Sequence, residues 1–179
     1  MDGIQTDWSA RALQDGVTLL MGYEGDTELA ARIDADRARQ VFNTLIGHAL
    51  KYAREGVVEA SLRAWTEGDQ VRIEGRVRDD GPGVDASRMA QLFEPFVEDG
   101  PGGGLSLAVC HRLVHGMGGR LWAENNAGRG ATFAFDVSAP RAILEAAPAS
   151  NVADMPDLAL PPRAHVLIVD DNATNRVMA

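Results

Sequence analysis

The 179-residue sequence contains a single cysteine, Cys110. One cysteine excludes an intramolecular disulfide framework and a Cys-x-x-Cys metal pair, and this usage is typical of a reducing compartment. Aromatic residues make up only 6% of the chain, and no basic cluster is interleaved with them. With 17 basic and 26 acidic residues the formal net charge is −9. We therefore expect no nucleic-acid partner.

Long apolar runs are absent as well. No stretch approaches the roughly 18 to 20 apolar residues that a bilayer-spanning helix needs, and residues 1–8 lack the pattern of a secretion signal. We therefore expect a cytoplasmic segment without membrane contact, whether or not its parent protein is membrane-bound. At 45% apolar residues, the chain is long enough for one domain with a sizeable core.

Hydrophobic periodicity predicts helices and strands in a mixed order. The predicted strands are 17–23, 57–65, 71–78, 120–124 and 131–137. The predicted helices are a long one that follows an N-cap at Asp34 and ends near Ala53, a short one at 86–92 and one at 104–117. This order predicts an α/β (α+β) fold, a two-layer sandwich in which about three helices cover one face of a mixed sheet.

Composition divides the chain into four parts. Residues 139–163 are rich in alanine and proline, contain no glycine and show no period, which is typical of a linker. We expect residues 1–15 to be a connector and residues 16–138 to be the main domain. Residues 164–179 then begin a second, truncated domain, because they open with an apolar strand that ends in paired carboxylates.

A carboxylate followed by glycines stands where the strand predicted at 71–78 ends. Asp79 is followed by an aspartate and then by Gly81 and Gly83. A carboxylate at a strand end can accept a hydrogen bond from an exocyclic amine such as that of adenine, while glycines let the backbone pass close to a ligand. In isolation, the same residues are more often an ordinary surface turn.

A run of three glycines precedes the last predicted helix. Gly102, Gly103 and Gly104 are followed by Leu105 and an apolar helical pattern. The free N–H groups and the positive dipole end of a helix start suit phosphate oxygens. A flexible loop before a core helix explains these glycines equally well, and their spacing is not that of a Walker loop.

Five motifs in this order resemble the ATP-binding catalytic domain of sensor histidine kinases, in the superfamily shared with the gyrase, Hsp90 and MutL ATPases. The motifs are the asparagine-box helix that begins at Asp34, the first glycine box at 79–83, the phenylalanine box at 92–96, the second glycine box at 102–107 and the closing strand pair at 128–133. Residues 165–172 similarly resemble the first strand of a receiver domain. The parent protein thus resembles a hybrid histidine kinase.

The resemblance implies ATP and Mg2+ as cofactors and gives roles to individual residues. Those it places at the nucleotide are Tyr52, Asp79, Gly81, Gly83, Gly102, Gly103, Gly104 and Leu105. Those it places at the catalytic positions of the asparagine box are Thr44, His48 and Lys51, with His48 also at the metal-binding position. The implied partners are a helical dimerisation and phosphoacceptor domain of the same protein and a receiver domain or response regulator.

The asparagine box differs from the family pattern at two positions. Alignment on the Ala-Leu-Lys sequence that ends at Lys51 places Thr44 and His48 where the family has asparagines, and Asn43 lies one residue out of register. Imidazole offers nitrogen, whereas Mg2+ prefers oxygen ligands. The sequence therefore predicts transfer of the ATP γ-phosphoryl group to a histidine on a separate domain, with a degenerate regulatory or protein-interaction module as the alternative.

Overall fold

The computed structural model of the chain describes residues 2–53, 56–95 and 106–142. Its helices are α1 (Asp2–Gln14), α2 (Ala35–Ala53), α3 (Ala86–Met89) and α4 (Ser106–Gly116). Its strands are β1 (Thr18–Glu24), β2 (Val57–Glu67), β3 (Gln70–Asp79), β4 (Arg120–Asn125) and β5 (Ala131–Pro140). The three glycines at 102–104 and the segment 165–172, which resembles the first strand of a receiver domain, lie outside the described residues.

The five strands form one mixed sheet in the order β1-β2-β3-β5-β4. β1 and β2 are parallel, and the other neighbouring pairs are antiparallel. Parallel neighbours need a crossover connection, which α2 provides here. The predicted α/β fold with a mixed sheet is confirmed. Within the described residues, no helix is both long and apolar enough to cross a bilayer.

Helix α2 lies on one face of the sheet because its apolar residues form a stripe along it. The helix begins after Asp34, whose Oδ1 accepts the backbone N–H of Arg37, as predicted for an N-cap. Its buried residues are Val41, Phe42, Leu45, Ile46, Ala49, Leu50 and Ala53. Phe42 meets Phe135 of β5 edge to face, with ring centroids 6.4 Å apart. Each fully buried side chain of this size stabilises the fold by about 1.5 to 3 kcal/mol.

The opposite face of the sheet is polar and carries paired charges. Arg72 of β3 lies 3.3 Å from a carboxylate oxygen of Asp136 of β5, and Arg78 lies 3.4 Å from one of Glu59 of β2. The pair of Arg78 and Glu59 is exposed, and pairs of this kind contribute about 0 to 1 kcal/mol each, whereas the pair of Arg72 and Asp136 is partly buried. The alternation of apolar and charged residues along these strands therefore decides which face the helices cover.

Helix α1 is not predicted by the periodicity of the sequence. Its Trp8 donates a hydrogen bond through Nε1 to Oδ1 of Asn43 on α2, and Ala12 is buried. Gly47 of α2 makes room for the indole, since a Cβ there would lie 2.9 Å from the ring. In the described part of α1, contacts with α2 and with β1 hold the helix in place.

The last strand extends further than predicted. β5 continues through Ala139 and Pro140, which composition had placed in the linker, and Arg141 forms an isolated bridge with Ala31. Ala139 is buried, in step with Val137 two residues earlier, so the strand period continues through this alanine-rich sequence. The linker prediction is corrected at this end: its first residues belong to the sheet.

Candidate functional site

A cavity of about 370 Å³ opens beside the end of β3. Among the residues that line it are His48, Tyr52, Asp79, Gly83, Leu92 and Phe133. They come from α2, β3, the loop after β3, the turn after α3 and β5. An apolar wall with a few polar groups and this volume is typical of a site for a small molecule.

Asp79 is the buried carboxylate of this cavity, with 4% of its surface exposed. Its Oδ1 accepts the N–H groups of Gly81, at 2.9 Å, and of Ala131, at 3.3 Å. Burial raises the pKa of this carboxyl, and the two backbone hydrogen bonds oppose the rise. Within the described residues both bonds use Oδ1, so Oδ2 is available to a donor on a ligand.

Glycines let the loop after β3 turn beneath the cavity. A Cβ on Gly81 would lie 2.7 Å from the carbonyl oxygen of Tyr52. Gly83 has φ of +77°, and a Cβ there would lie 2.9 Å from Oδ1 of Asn125. A side chain at either position would displace the loop or strain its backbone.

Two asparagines hold this loop, one at the end of β4 and one directly after it, and the sequence motifs do not predict them in the site. Asn125 accepts the N–H of Val84 through Oδ1 at 2.8 Å and donates through Nδ2 to the carbonyl of Val84 at 2.7 Å. Asn126 donates through Nδ2 to the carbonyl of Asp79 at 2.9 Å. Asparagines in a glycine-rich connection predict a turn, and no local signal points to partners 41 and 47 positions away.

The predicted asparagine-box residues of α2 do not share one environment. His48 and Tyr52 line the cavity, with ring centroids 4.8 Å apart. Lys51 is exposed, and its Nζ lies 5.2 Å from the centroid of the Tyr52 ring. Thr44 is not among the described residues that line the cavity: its Oγ1 donates to the carbonyl of Gln40 at 2.8 Å.

Thr44 also lies beside the thiol of Cys110 on α4. Burial raises the pKa of this thiol, and a hydrogen bond with Thr44 opposes the rise. Cys110 is 1% exposed and belongs to the core. The hydroxyl of Thr44 is thus directed to the contact between α2 and α4.

The structure brings together four predicted site residues, His48, Tyr52, Asp79 and Gly83, around one cavity, with Gly81 buried below it. Gly102, Gly103, Gly104 and Leu105 lie outside the described residues, and α4 is described from Ser106. Their predicted contact with phosphates stays a prediction.

His48 is a poor ligand for a magnesium ion at the asparagine box. In the described ranges no group of three or more His, Cys, Asp or Glu side chains is placed to hold a metal ion. His48 would offer a ring nitrogen to an ion that prefers oxygen. The role of His48 as a metal ligand stays a prediction.

Comparison with known proteins gives a family for this fold and cavity. Residues 33–141 match the histidine kinase-, DNA gyrase B- and HSP90-like ATPases. The virulence sensor protein BvgS of Bordetella bronchiseptica is 32% identical over 181 residues, which cover 93% of this chain and 14% of BvgS. The aerobic respiration control sensor protein ArcB of Escherichia coli is 34% identical over 154 residues, which cover 82% of this chain and 19% of ArcB. The chain thus spans less than a fifth of these relatives.

Two solved structures show the same arrangement of strands and helices. Full-length ShkA in complex with AMPPNP aligns with a TM-score of 0.62 at 31% identity, over 79% of this chain and 29% of ShkA. The catalytic domain of the histidine kinase ThkA aligns with a TM-score of 0.62 at 19% identity, over 78% of this chain and 89% of that domain, and shows the fold alone. The chain therefore belongs to the family of histidine kinase-, DNA gyrase B- and HSP90-like ATPases, and corresponds within it to the ATP-binding catalytic domain of sensor histidine kinases.

Proposed function

We propose that this domain binds ATP through its adenine base and serves as the catalytic domain of a hybrid sensor histidine kinase in two-component signalling. The observation that carries the proposal is the carboxylate of Asp79, which is buried in the cavity and fixed through Oδ1 by two backbone N–H groups. Its second oxygen can accept a hydrogen bond from the 6-amino group of adenine. Guanine would present a carbonyl oxygen there, so the site favours adenine.

The chain contributes to phosphoryl transfer by binding and orientation. In the reaction, the bond between the γ-phosphorus and the bridging oxygen breaks while a bond forms to an imidazole nitrogen of a histidine on a separate helical domain, and ADP leaves. Catalysis of this type depends mainly on positioning and on neutralisation of charge. Leu92 and Phe133 keep water from the base, and the second glycine box is proposed to donate N–H groups to the phosphates.

The parent protein is proposed to have further domains on both sides. Residues 1–15, which include α1, would connect to the helical dimerisation domain, and the linker up to residue 163 would lead to a receiver domain that begins with residues 164–179. The support for the receiver is the apolar sequence that precedes Asp170 and Asp171, which predicts a strand. Both partners act in the cytoplasm, which is where we place this segment.

Calorimetry with the purified chain tests the nucleotide site. We expect saturable binding of ATP and ADP and weaker binding of GTP. In Asp79→Asn we expect affinities for ATP and ADP that are about 10- to 100-fold lower, because the amide either replaces the acceptor Oδ2 by a donor or loses the fit to the two backbone N–H groups. The control is Glu67→Gln, because Glu67 is the last residue of β2 and is not among the residues that line the cavity in the described part of the chain. Asp85 does line it, so Asp85→Asn cannot serve as a control. The absence of saturable binding in the native chain would overturn the proposal.

The alternative is a regulatory module that binds nucleotide without transferring phosphate, and it would need Thr44 to take no part in transfer, since its hydroxyl lies beside Cys110. Joining the native chain to a helical phosphoacceptor domain and incubating it with labelled ATP separates the two functions. Phosphohistidine on the helical domain supports the kinase. Retained nucleotide binding without phosphohistidine, together with a gain of transfer in the double variant Thr44→Asn and His48→Asn, supports the alternative.

A further inference from the structure

Three aromatic rings in contact form one side of the cavity. The ring of His48 lies 4.8 Å from that of Tyr52, at 45°, and 4.6 Å from that of Phe133, at 62°, measured between centroids. All three residues line the cavity together with Asp79. Connected rings along a cavity offer a planar base a surface on which to stack.

The position of these rings relative to Asp79 shows which end of a nucleotide they would meet. Ala131, whose N–H binds Oδ1 of Asp79, lies two residues before Phe133 and therefore on the same face of β5. Tyr52 reaches the same place from α2, because its carbonyl oxygen lies against Gly81. The ring of His48 contacts both of these rings and lines the cavity together with Asp79, the carboxylate that would accept the adenine amine.

We propose that His48 is a wall of the base site, stacking on or against the adenine ring, and that it is not a ligand of the metal. This inference rests on the proposed nucleotide-binding function and names what one residue of that site does. An imidazole keeps its aromatic face for a base, whereas its nitrogens suit Mg2+ poorly. The histidine at this position would therefore serve the base, whereas the asparagine of the family pattern would serve the metal.

Nucleotides that differ in their phosphates and in the bound metal ion distinguish a role of His48 at the base from a role at the metal. AMP and ADP measured in EDTA report on the base site, and ATP measured with Mg2+ reports on the phosphates and the metal. We compare the native chain with His48→Phe, which keeps a ring, with His48→Ala, which removes it, and with His48→Asn. The control is Arg39→Ala, an exposed residue of α2 at a distance from the cavity.

We expect His48→Ala to weaken AMP and ADP about tenfold in EDTA, from the loss of base stacking. His48→Phe should stay within about threefold of the native chain, since it retains the ring. His48→Asn should bind AMP as weakly as His48→Ala. The proposal is wrong if His48→Phe loses AMP affinity as His48→Ala does, or if His48→Ala leaves AMP unchanged and weakens only ATP with Mg2+.

Proton NMR of the native chain gives a second test that does not depend on whether a variant folds. We expect the ring protons of His48 to shift upon addition of AMP in EDTA, through the ring current of the stacked base. No shift with AMP, together with strong broadening of the same signals by ATP with Mn2+, would place His48 at the metal and overturn the proposal. A native chain that binds no adenine nucleotide at all would overturn the proposed function itself, which the AMP titration detects separately.

Discussion

The indole nitrogen of Trp8 donates a hydrogen bond to the side-chain oxygen of Asn43 over 3.0 Å, and so connects α1 to α2. Asn43 directly precedes Thr44, the first of the two predicted asparagine-box positions. In this chain it faces α1, while His48, five residues later, faces the cavity. One helix therefore carries the contact with α1 and part of the lining of the cavity.

The first prediction concerns the space that Gly47 leaves for Trp8. A Cβ at residue 47 would lie 2.9 Å from the indole, so Gly47→Ala should weaken the packing of α1. In a Trp8→Ala background the same change should stabilise the fold, by up to about 1 kcal/mol, because alanine is a better helix former than glycine. Urea unfolding of the four proteins in this double-mutant cycle checks the prediction, and equal effects in both backgrounds would contradict it.

The second prediction concerns pH. The pKa of Asp79 is raised above its ordinary value of 3.8, so the folded chain binds this proton more tightly than the unfolded chain does. The stabilising contribution of this group is therefore full below pH 3.8 and is lost as the pH rises through the raised pKa. In Asp79→Asn the side chain of residue 79 is an amide, which does not titrate.

We expect the free energy of unfolding of Asp79→Asn, relative to the native chain without ligand, to increase as the pH rises through that window. Denaturant unfolding at several pH values on both sides of the raised pKa measures the difference. The same variant should lose about 10- to 100-fold in ATP affinity, since a hydrogen bond to a charged group contributes about 1.5 to 3 kcal/mol. A constant difference in stability across the pH range would show that Asp79 does not titrate in this way.

The third prediction compares two glycines of the connection between β4 and β5. Gly130 has φ of +85°, and a Cβ there would overlap the carbonyl oxygen of Asp79. Gly130→Ala should destabilise the fold by about 1 to 3 kcal/mol from backbone strain alone. Gly128 has no atom within 4 Å of a Cβ, so Gly128→Ala should be neutral or slightly stabilising. Thermal unfolding of both variants tests the contrast, and similar melting temperatures would contradict it.

The fourth prediction concerns the two hydrogen bonds between Asn125 and the backbone of Val84. Asn125→Asp keeps the acceptor but cannot donate to the Val84 carbonyl, and it places a charge beside that oxygen. We expect a loss of about 1 to 2 kcal/mol in stability and a weaker affinity for ADP, because the loop that carries Gly83 is released. The neighbouring variant Glu124→Gln, which weakens only a partly exposed ion pair with Arg76, should change neither quantity measurably.

Periodicity predicts those elements whose burial repeats along the chain. The stripe of α2, the N-cap at Asp34 and the alternation of β2 and β3 are all visible in the sequence, and the structure contains them. Helix α1 has no such stripe, and its Leu13 is 81% exposed. It is fixed by single contacts such as the one between Trp8 and Asn43, which leave no period to detect.

The residues of the candidate site are likewise predictable only where they stand close together in the sequence. Asp79 and Gly83 stand in a recognisable order within one short segment, and the structure places both at the cavity. Asn125 and Asn126 support that segment from a connection that reads as an ordinary turn, because their partners are far away in the sequence. The direction of Thr44 likewise depends on where α4 packs, which the sequence of α2 alone does not contain.

Asp79 and Ala131 stand 52 positions apart in the chain, and the hydrogen bond between them crosses from β3 to β5. The cavity therefore exists only in molecules whose central strands have already come together. Any compound that binds there selects assembled chains over unassembled ones and adds its binding free energy to theirs. The resistance of this domain to proteolysis would therefore increase with the concentration of that compound.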